Sequence, residues 1–132
     1  MTSIPKPGAV VFVKSLSRAA KFYEELLSLS VIQAENDYVV LESEAIQLVL
    51  HAIPTHIAES ICILEPPEVR EEMPIKLFFP VESIAYARAS ALELGGQVGP
   101  VASEWEFRDI RTCDGYDPEG NVFQLRQNVP KR

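Results

Sequence analysis

Apolar residues recur along this chain with two distinct periods. Ala9–Val13 is an unbroken run, AVVFV, and predicts a buried strand. Ser15 stands where a helix cap belongs. After it Leu16, Ala19, Ala20, Tyr23, Leu26 and Leu27 recur at steps of three and four, the stripe of an amphipathic helix. Ser30–Gln33, Tyr38–Leu41 and Ala45–His51 predict three more strands, with Asn36-Asp37 and Ser43-Glu44 supplying the turns. The pattern breaks over residues 53–74, where Pro54, Pro66, Pro67 and Pro74 lie among several acids. This predicts a connection with one helical turn near Ala58–Cys62, and loops of such length often line sites. The first pattern then returns. Ile75–Val81 reads as a strand, Ser83 as a cap, and Ile84–Leu94 as a helix ended by Gly95-Gly96. Val98–Val101 and Glu106–Cys113 fill two strand positions, and a last strand carries Phe123 and Leu125.

The two halves therefore read as β-α-β-β-β twice, an α+β chain whose modules span about 8–52 and 75–128. Shifted by about 68 residues, Val13, Ser15, Leu16, Ala19 and Leu26 fall on Val81, Ser83, Ile84, Ala87 and Leu94. Ile46-Gln-Leu48 likewise resembles Phe123-Gln-Leu125. Alternation assigns faces. Ala9, Val11 and Val13; Ile46, Leu48 and Leu50; Ile75, Leu77, Phe79 and Val81; and Phe123 with Leu125 form apolar faces that belong under the two helices. The opposite faces are mixed: Gly8, Val10 and Phe12; Gln47, Val49 and His51; Lys76 and Phe78; Gln124 and Arg126. Mixed faces that curve toward each other make a ligand cleft, and Phe12 and Phe78 are aromatics that need covering there.

With 132 residues, 47% of them hydrophobic, the chain can fill one proper core. A net charge of −7 argues against nucleic acid or anionic lipid as a partner. It mildly favours cationic ligands, although solubility alone accounts for it. Two cysteines, Cys62 and Cys113, make no disulfide scaffold and read as reduced thiols in a cytoplasmic protein. The opening MTSIPKPG lacks the apolar core of a signal peptide, and no apolar run is long enough to span a membrane. Gly95-Gly96 follows a helix rather than preceding one, so no phosphate loop is present.

Three features together resemble one superfamily. They are the doubled β-α-β-β-β order, the stretch Val13-Lys-Ser-Leu-Ser-Arg-Ala-Ala-Lys-Phe-Tyr-Glu-Glu-Leu-Leu27, and Asp117-Pro-Glu-Gly-Asn121 before the last strand. The chain is similar to the vicinal oxygen chelate superfamily, which holds glyoxalase I, bleomycin-resistance proteins, extradiol dioxygenases and fosfomycin-resistance enzymes. The resemblance implies a curved mixed sheet around a cleft. In metal-dependent members four cleft side chains bind the ion. Two come seven residues before the helix cap of each module and two come from the last strands. Here those positions hold Gly8, Lys76, Gln47 and Gln124. Glycine offers no ligand, a protonated lysine repels a divalent cation, and glutamine oxygens are weak ligands. No metal and no other cofactor is therefore expected.

Candidate cleft residues are Phe12, Gln47, His51, Lys76, Phe78, Trp105 and Gln124. Lys76 between two amides can hold an anionic or carbonyl oxygen. Alternatively it reaches solvent or pairs with an acid such as Glu106. Trp105 and Phe107 serve either as a stacking wall or as core. Catalytic residues are not identifiable. The expected function is a metal-free small-molecule binder of the bleomycin-resistance type. The alternatives are a glyoxalase- or dioxygenase-type enzyme with a metal on Gln47, His51 and Gln124, or a metal-free enzyme using Lys76 as base. The Pro5-Lys-Pro7 arm resembles the proline-bearing arm exchanged between bleomycin-resistance protomers, which implies a homodimer.

Overall fold

A computed structural model describes residues 4–130, and the chain divides between Cys62 and Ile63 into two compact units. In the first, β1 (Gly8–Val13) leads to α1 (Leu16–Leu27), then β2 (Ser30–Ala34), β3 (Tyr38–Glu42), β4 (Gln47–Ala52) and the short α2 (Thr55–Ala58). The strand order is β1-β4-β3-β2, with β1 parallel to β4 and the other pairs antiparallel. The parallel pair requires a crossover, which α1 and the β2–β3 hairpin supply. Phe22, Tyr23 and Leu26 of α1 are buried with Val39, Leu41, Leu48 and Leu50 of the sheet. Burying each such side chain contributes about 1.5–3 kcal/mol.

The second unit repeats the plan. It runs β5 (Leu77–Pro80), α3 (Ile84–Glu93), β6 (Gln97–Val98), β7 (Trp105–Phe107), β8 (Ile110–Tyr116) and β9 (Val122–Asn128). β5 is parallel to β9, and β9 is antiparallel to β8. β6 and β7 pair with opposite ends of β8 and together take one strand position. The architecture is thus α+β with two βαβββ modules, and the two main helices begin 68 residues apart, at Leu16 and Ile84. Ser83 caps α3, its hydroxyl accepting from the Tyr86 N–H at 3.1 Å, whereas Ser15 at the start of α1 makes no side-chain cap. No helix among the described residues is long and apolar enough to cross a membrane. Cys62 and Cys113 are both free, the first exposed and the second buried.

Several expected elements shift, each for a local reason. The strand expected over Glu106–Cys113 is a hairpin, turning at Arg108 and Asp109 with φ of 51° and 63°. Positive φ at both central residues is what a two-residue hairpin with matching twist requires. The strand expected over Val98–Val101 stops at Val98, because Pro100 has no N–H to donate and a 3-10 turn follows at Val101–Ser103. β4 begins at Gln47 rather than Ala45, since the Ser43 hydroxyl accepts from the N–H groups of Ala45 and Ile46. The helical turn near Ala58–Cys62 lies earlier, at Thr55–Ala58, because the Pro54 carbonyl accepts from Ile57 and Ala58. Ile75, expected in the core, is 69% exposed. Its strand starts only at Leu77, because its partner β9 starts at Val122, where a turn ends.

That turn is Asp117–Asn121. The Asp117 carboxylate is fully buried. Its Oδ1 accepts from the backbone N–H groups of Glu119 (2.8 Å) and Asn121 (3.0 Å), and its Oδ2 from Asn121 Nδ2 (2.9 Å). Gly120 takes φ of 85° and passes so close to the connection that a Cβ there would lie 2.0 Å from the Glu68 carbonyl oxygen. The Gly120 carbonyl in turn accepts from the Arg70 N–H at 2.9 Å. Replacing Asp117 by Ala leaves buried donors unpaired, and a buried donor without a partner costs about 1–3 kcal/mol. Asp117→Ala is therefore expected to lose about 2–4 kcal/mol of stability, read as a lower urea midpoint at unchanged slope.

Candidate functional site

In each unit the helix covers one sheet face and leaves the other open. The open face of the first unit is ordered in three rows by strand register. Gly8, Gln47 and Glu42 form the first, Val10, Val49 and Val40 the second, and Phe12, His51 and Tyr38 the third. Phe12 and His51 have ring centroids 5.5 Å apart, and His51 stacks on Tyr38 at 6.4 Å. His51 Nδ1 lies 2.9 Å from the Ala52 carbonyl oxygen. Gln47 Nε2 donates to Glu42 Oε2 at 2.7 Å, and Lys6 Nζ pairs with Glu42 Oε1 at 2.7 Å. Hydrogen bonds from Lys6 and then Gln47 hold the Glu42 carboxyl below its ordinary range. Gln47 is thus already engaged, and Lys6 of the proline arm reaches the same carboxylate.

The open face of the second unit carries the rest. Lys76 Nζ pairs with Asp114 Oδ2 at 2.8 Å, not with Glu106, which instead takes Arg111 at 2.9 Å. Gln124 Nε2 reaches the other Asp114 oxygen at 3.4 Å, while Gln124 Oε1 accepts from Arg126 Nε at 2.8 Å. The Arg126 guanidinium lies flat over Phe78, 3.6 Å from the ring centroid, and 5.9 Å from that of Phe107. Register places Trp105 beside Thr112, and Thr112 beside Arg126. Phe78, Phe107 and Trp105 are all about half-exposed, so the wall reading of Trp105 and Phe107 fits better than a core role. Asp114 and Arg126 are the participants that sequence reasoning left out of the site. Arg126 shares the alternating face with Gln124, which is the signal that could have found it. Asp114 offered no such signal, because it pairs from β8 across the sheet.

A groove of about 340 Å³ opens at one end of this face, lined by Arg70, Met73, Ile75, Lys76, Asp114 and Tyr116 among others. On the helix side, a second set of charges is structural. Glu104 accepts from both Arg88 and Arg111, and Arg88 also donates to the Gly99 carbonyl at 2.6 Å. Burial opposes ionisation of Glu104, but the bonds from Arg88 and Arg111 outweigh it and hold the carboxyl below its ordinary range. Cys113 Sγ lies beside this set, 3.9 Å from Arg88 Nη2, and is wholly buried.

A family model described as a glyoxalase-like domain matches residues 9–126. The chain belongs to the glyoxalase-like family. Among solved structures it is similar to a glyoxalase/bleomycin resistance protein/dioxygenase family enzyme from Burkholderia phytofirmans, at 15% identity and a TM-score of 0.67, covering 92% of this chain and 97% of that one. It is also similar to the fosfomycin resistance protein FosX of Listeria monocytogenes, at 13% identity and a TM-score of 0.64, covering 100% and 96%. An integron cassette protein from a Halifax Harbour sewage outfall matches at 18% identity and 0.62, covering 93% and 97%. At these identities the likeness is one of fold. No functionally curated protein matches the sequence.

The residues of this glyoxalase-like chain do not fit the metal of its metal-dependent relatives. Gly8 carries no ligand, and it cannot be given one cheaply: a Cβ there would lie 1.8 Å from the Gln47 carbonyl oxygen. Lys76 is a cation paired with Asp114. Gln47, level with Gly8 on β1, and Gln124, level with Phe78 on β5, are neutral amides and weak ligands. Among the described residues, no three His, Cys, Asp or Glu side chains group as metal ligands. Gly8→His, which would reinstate an imidazole, is expected to destabilise the protein by more than about 2 kcal/mol without creating metal binding. Thermal denaturation with and without added zinc measures both effects.

Proposed function

We propose that this protein binds a small molecule without a resident metal, acting by sequestration as a bleomycin-resistance protein does. One observation carries the reading. On the second unit's open face the polar groups are tied into a continuous chain, yet Phe78 and Trp105 remain 56% and 42% exposed beside them. Apolar surface kept open next to fixed polar groups is the composition of a small-molecule site. Covering about 100 Å² of it with a ligand contributes about 2.5 kcal/mol. The adjoining groove, at about 340 Å³, lies within the ordinary range for such ligands. Phe12, Gln47 and His51 of the first unit offer a similar mixture, with Gln47 already bound to Glu42.

The FosX relative is described in complex with Mn(II) and a dihydroxypropylphosphonic acid. Carrying that chemistry to this chain would need metal ligands where Gly8 and Lys76 stand. The metal-dependent enzyme reading would rest on Gln47, His51 and Gln124, two neutral amides and one imidazole, a weak ligand set for a divalent ion. We further infer a homodimer, on the strength of the proline arm and the exposed apolar side chains of both open faces.

Protein dialysed in turn against zinc, nickel, manganese and iron(II) is expected to retain none stoichiometrically, and chelators should leave its Tm unchanged. Because Lys76 is already paired with Asp114, Lys76→Met should keep the fold and change binding of carboxylate or carbonyl ligands by less than about threefold; a tenfold loss, about the scale of one charge-assisted hydrogen bond, would place the ligand oxygen on Lys76 instead. One metal per chain, lost on mutating Gln47 or Gln124, would instead restore the enzyme reading. Light scattering at micromolar concentration should give twice the chain mass of 14.7 kDa, and a clean monomer would remove the dimer.

A further inference from the structure

The local charge of the second unit's open face opposes that of the whole chain. The chain carries −7, but this face sets Lys76 and Arg126 against the single carboxylate of Asp114. Asp114 is bound to Lys76 and to Gln124, so Arg126 is the cation left over. Its position is held from two sides. Phe78 lies beneath the guanidinium plane at 3.6 Å, and Gln124 Oε1 accepts the Nε proton at 2.8 Å. Gln124 Nε2 faces Asp114 Oδ1 at 3.4 Å, a long contact that agrees with the amide oxygen being turned toward Arg126. Nε is thereby used, while the two terminal nitrogens have no hydrogen-bond partner among the described residues. A guanidinium with its stem and plane fixed and its end donors open is a ready-made bidentate site for a planar oxyanion. Phe78 and Phe107 stand beside it and Trp105 lies two strands away in the same register row, each with close to half of its surface uncovered.

We propose that Arg126 is the anion-recognising residue of this protein, and that its ligands are small molecules joining a carboxylate to a flat apolar group. The carboxylate takes the terminal nitrogens of Arg126, and the apolar part covers the aromatic side chains beside it. The proposal rests on the small-molecule reading above and names its ligand class. It reverses the expectation drawn from net charge: the ligand is an anion, recognised by a locally positive face on an acidic protein. Electrostatic attraction acts within about 8–10 Å at ordinary salt, so with Lys76 and Asp114 cancelling, the one unpaired cation of Arg126 counts for more than the distant acids.

The test uses the protein's only tryptophan, Trp105, whose fluorescence reports occupancy of this face. Full-length protein is titrated with 4-nitrobenzoate and with 4-nitrobenzamide, its neutral counterpart, and the affinities are confirmed by calorimetry. The acid is expected to bind about ten- to a hundredfold more tightly than the amide. Arg126→Met, which keeps the stem over Phe78, should bring the acid down to the level of the amide. Arg126→Lys keeps the charge but loses the fork, and should lose most of the preference; melting curves establish that both variants fold. Equal binding of acid and amide to the unaltered protein overturns the anion assignment and leaves the small-molecule reading standing. A preference for the acid that survives Arg126→Met overturns the role of Arg126. Binding of neither compound overturns the proposed ligand class, while a thermal-shift panel of neutral and cationic compounds decides separately whether the protein binds small molecules at all.

Discussion

A buried carboxylate governs the second unit. Asp117 has no exposure to water, and an unpaired charge in that position would be untenable. It is tolerated because two backbone N–H groups and the Asn121 amide point at it. Those bonds fix the turn, the turn ends where β9 begins, and β9 is the strand that pairs with both β5 and β8. The positions of Phe123 and Leu125 in the core and of Gln124 and Arg126 on the open face follow from that one register. A slip of one residue would exchange them, placing a guanidinium under α3. The same turn anchors the long connection through the bond from Arg70 to Gly120.

The two modules share a plan and differ in their open faces. In the first, the row at the start of the parallel strand pair is filled by a glycine, with its neighbour Gln47 bonded to Glu42. The aromatic row at the other end, Phe12, His51 and Tyr38, stacks largely upon itself. In the second, an ion pair, an amide and a guanidinium run from Lys76, just before β5, through Asp114 on β8 to Gln124 and Arg126 on β9, and the aromatics accompany the guanidinium rather than one another. One duplicated scaffold thus presents exposed apolar and aromatic side chains beside a paired amide in one unit, and a guanidinium with open donors in the other. Family membership does not carry activity with it, because the chemistry of such a scaffold resides in these few outward side chains.

Charge on the helix side has a different character. Glu104 is nearly buried and held by Arg88 and Arg111, two cations from separate elements. This arrangement joins α3, the segment before β7, and β8, and it shields the Cys113 thiol from solvent. A thiol buried in this way adds to the packing of the core.

What the sequence determined by itself is periodic. Alternation over Ala9–Val13 and Phe123–Leu125, the helical stripe of Leu16–Leu27 and the turn residues of Asp117–Asn121 each concern neighbours along the chain, and each survived into the fold. The duplication that places Ser83 as a cap was legible for the same reason. Tertiary structure decided what depends on partners far apart in sequence. Arg108-Asp109 carries no strong turn signature, and only pairing of Trp105–Phe107 with β8 forces its two positive φ values. The exposure of Ile75 followed from where β9 starts. Asp114 became the partner of Lys76, 38 residues away, because β8 and β5 flank β9 on opposite sides and both reach across it. Local pattern fixes which face a side chain occupies, whereas cross-strand register alone fixes which charge it meets there.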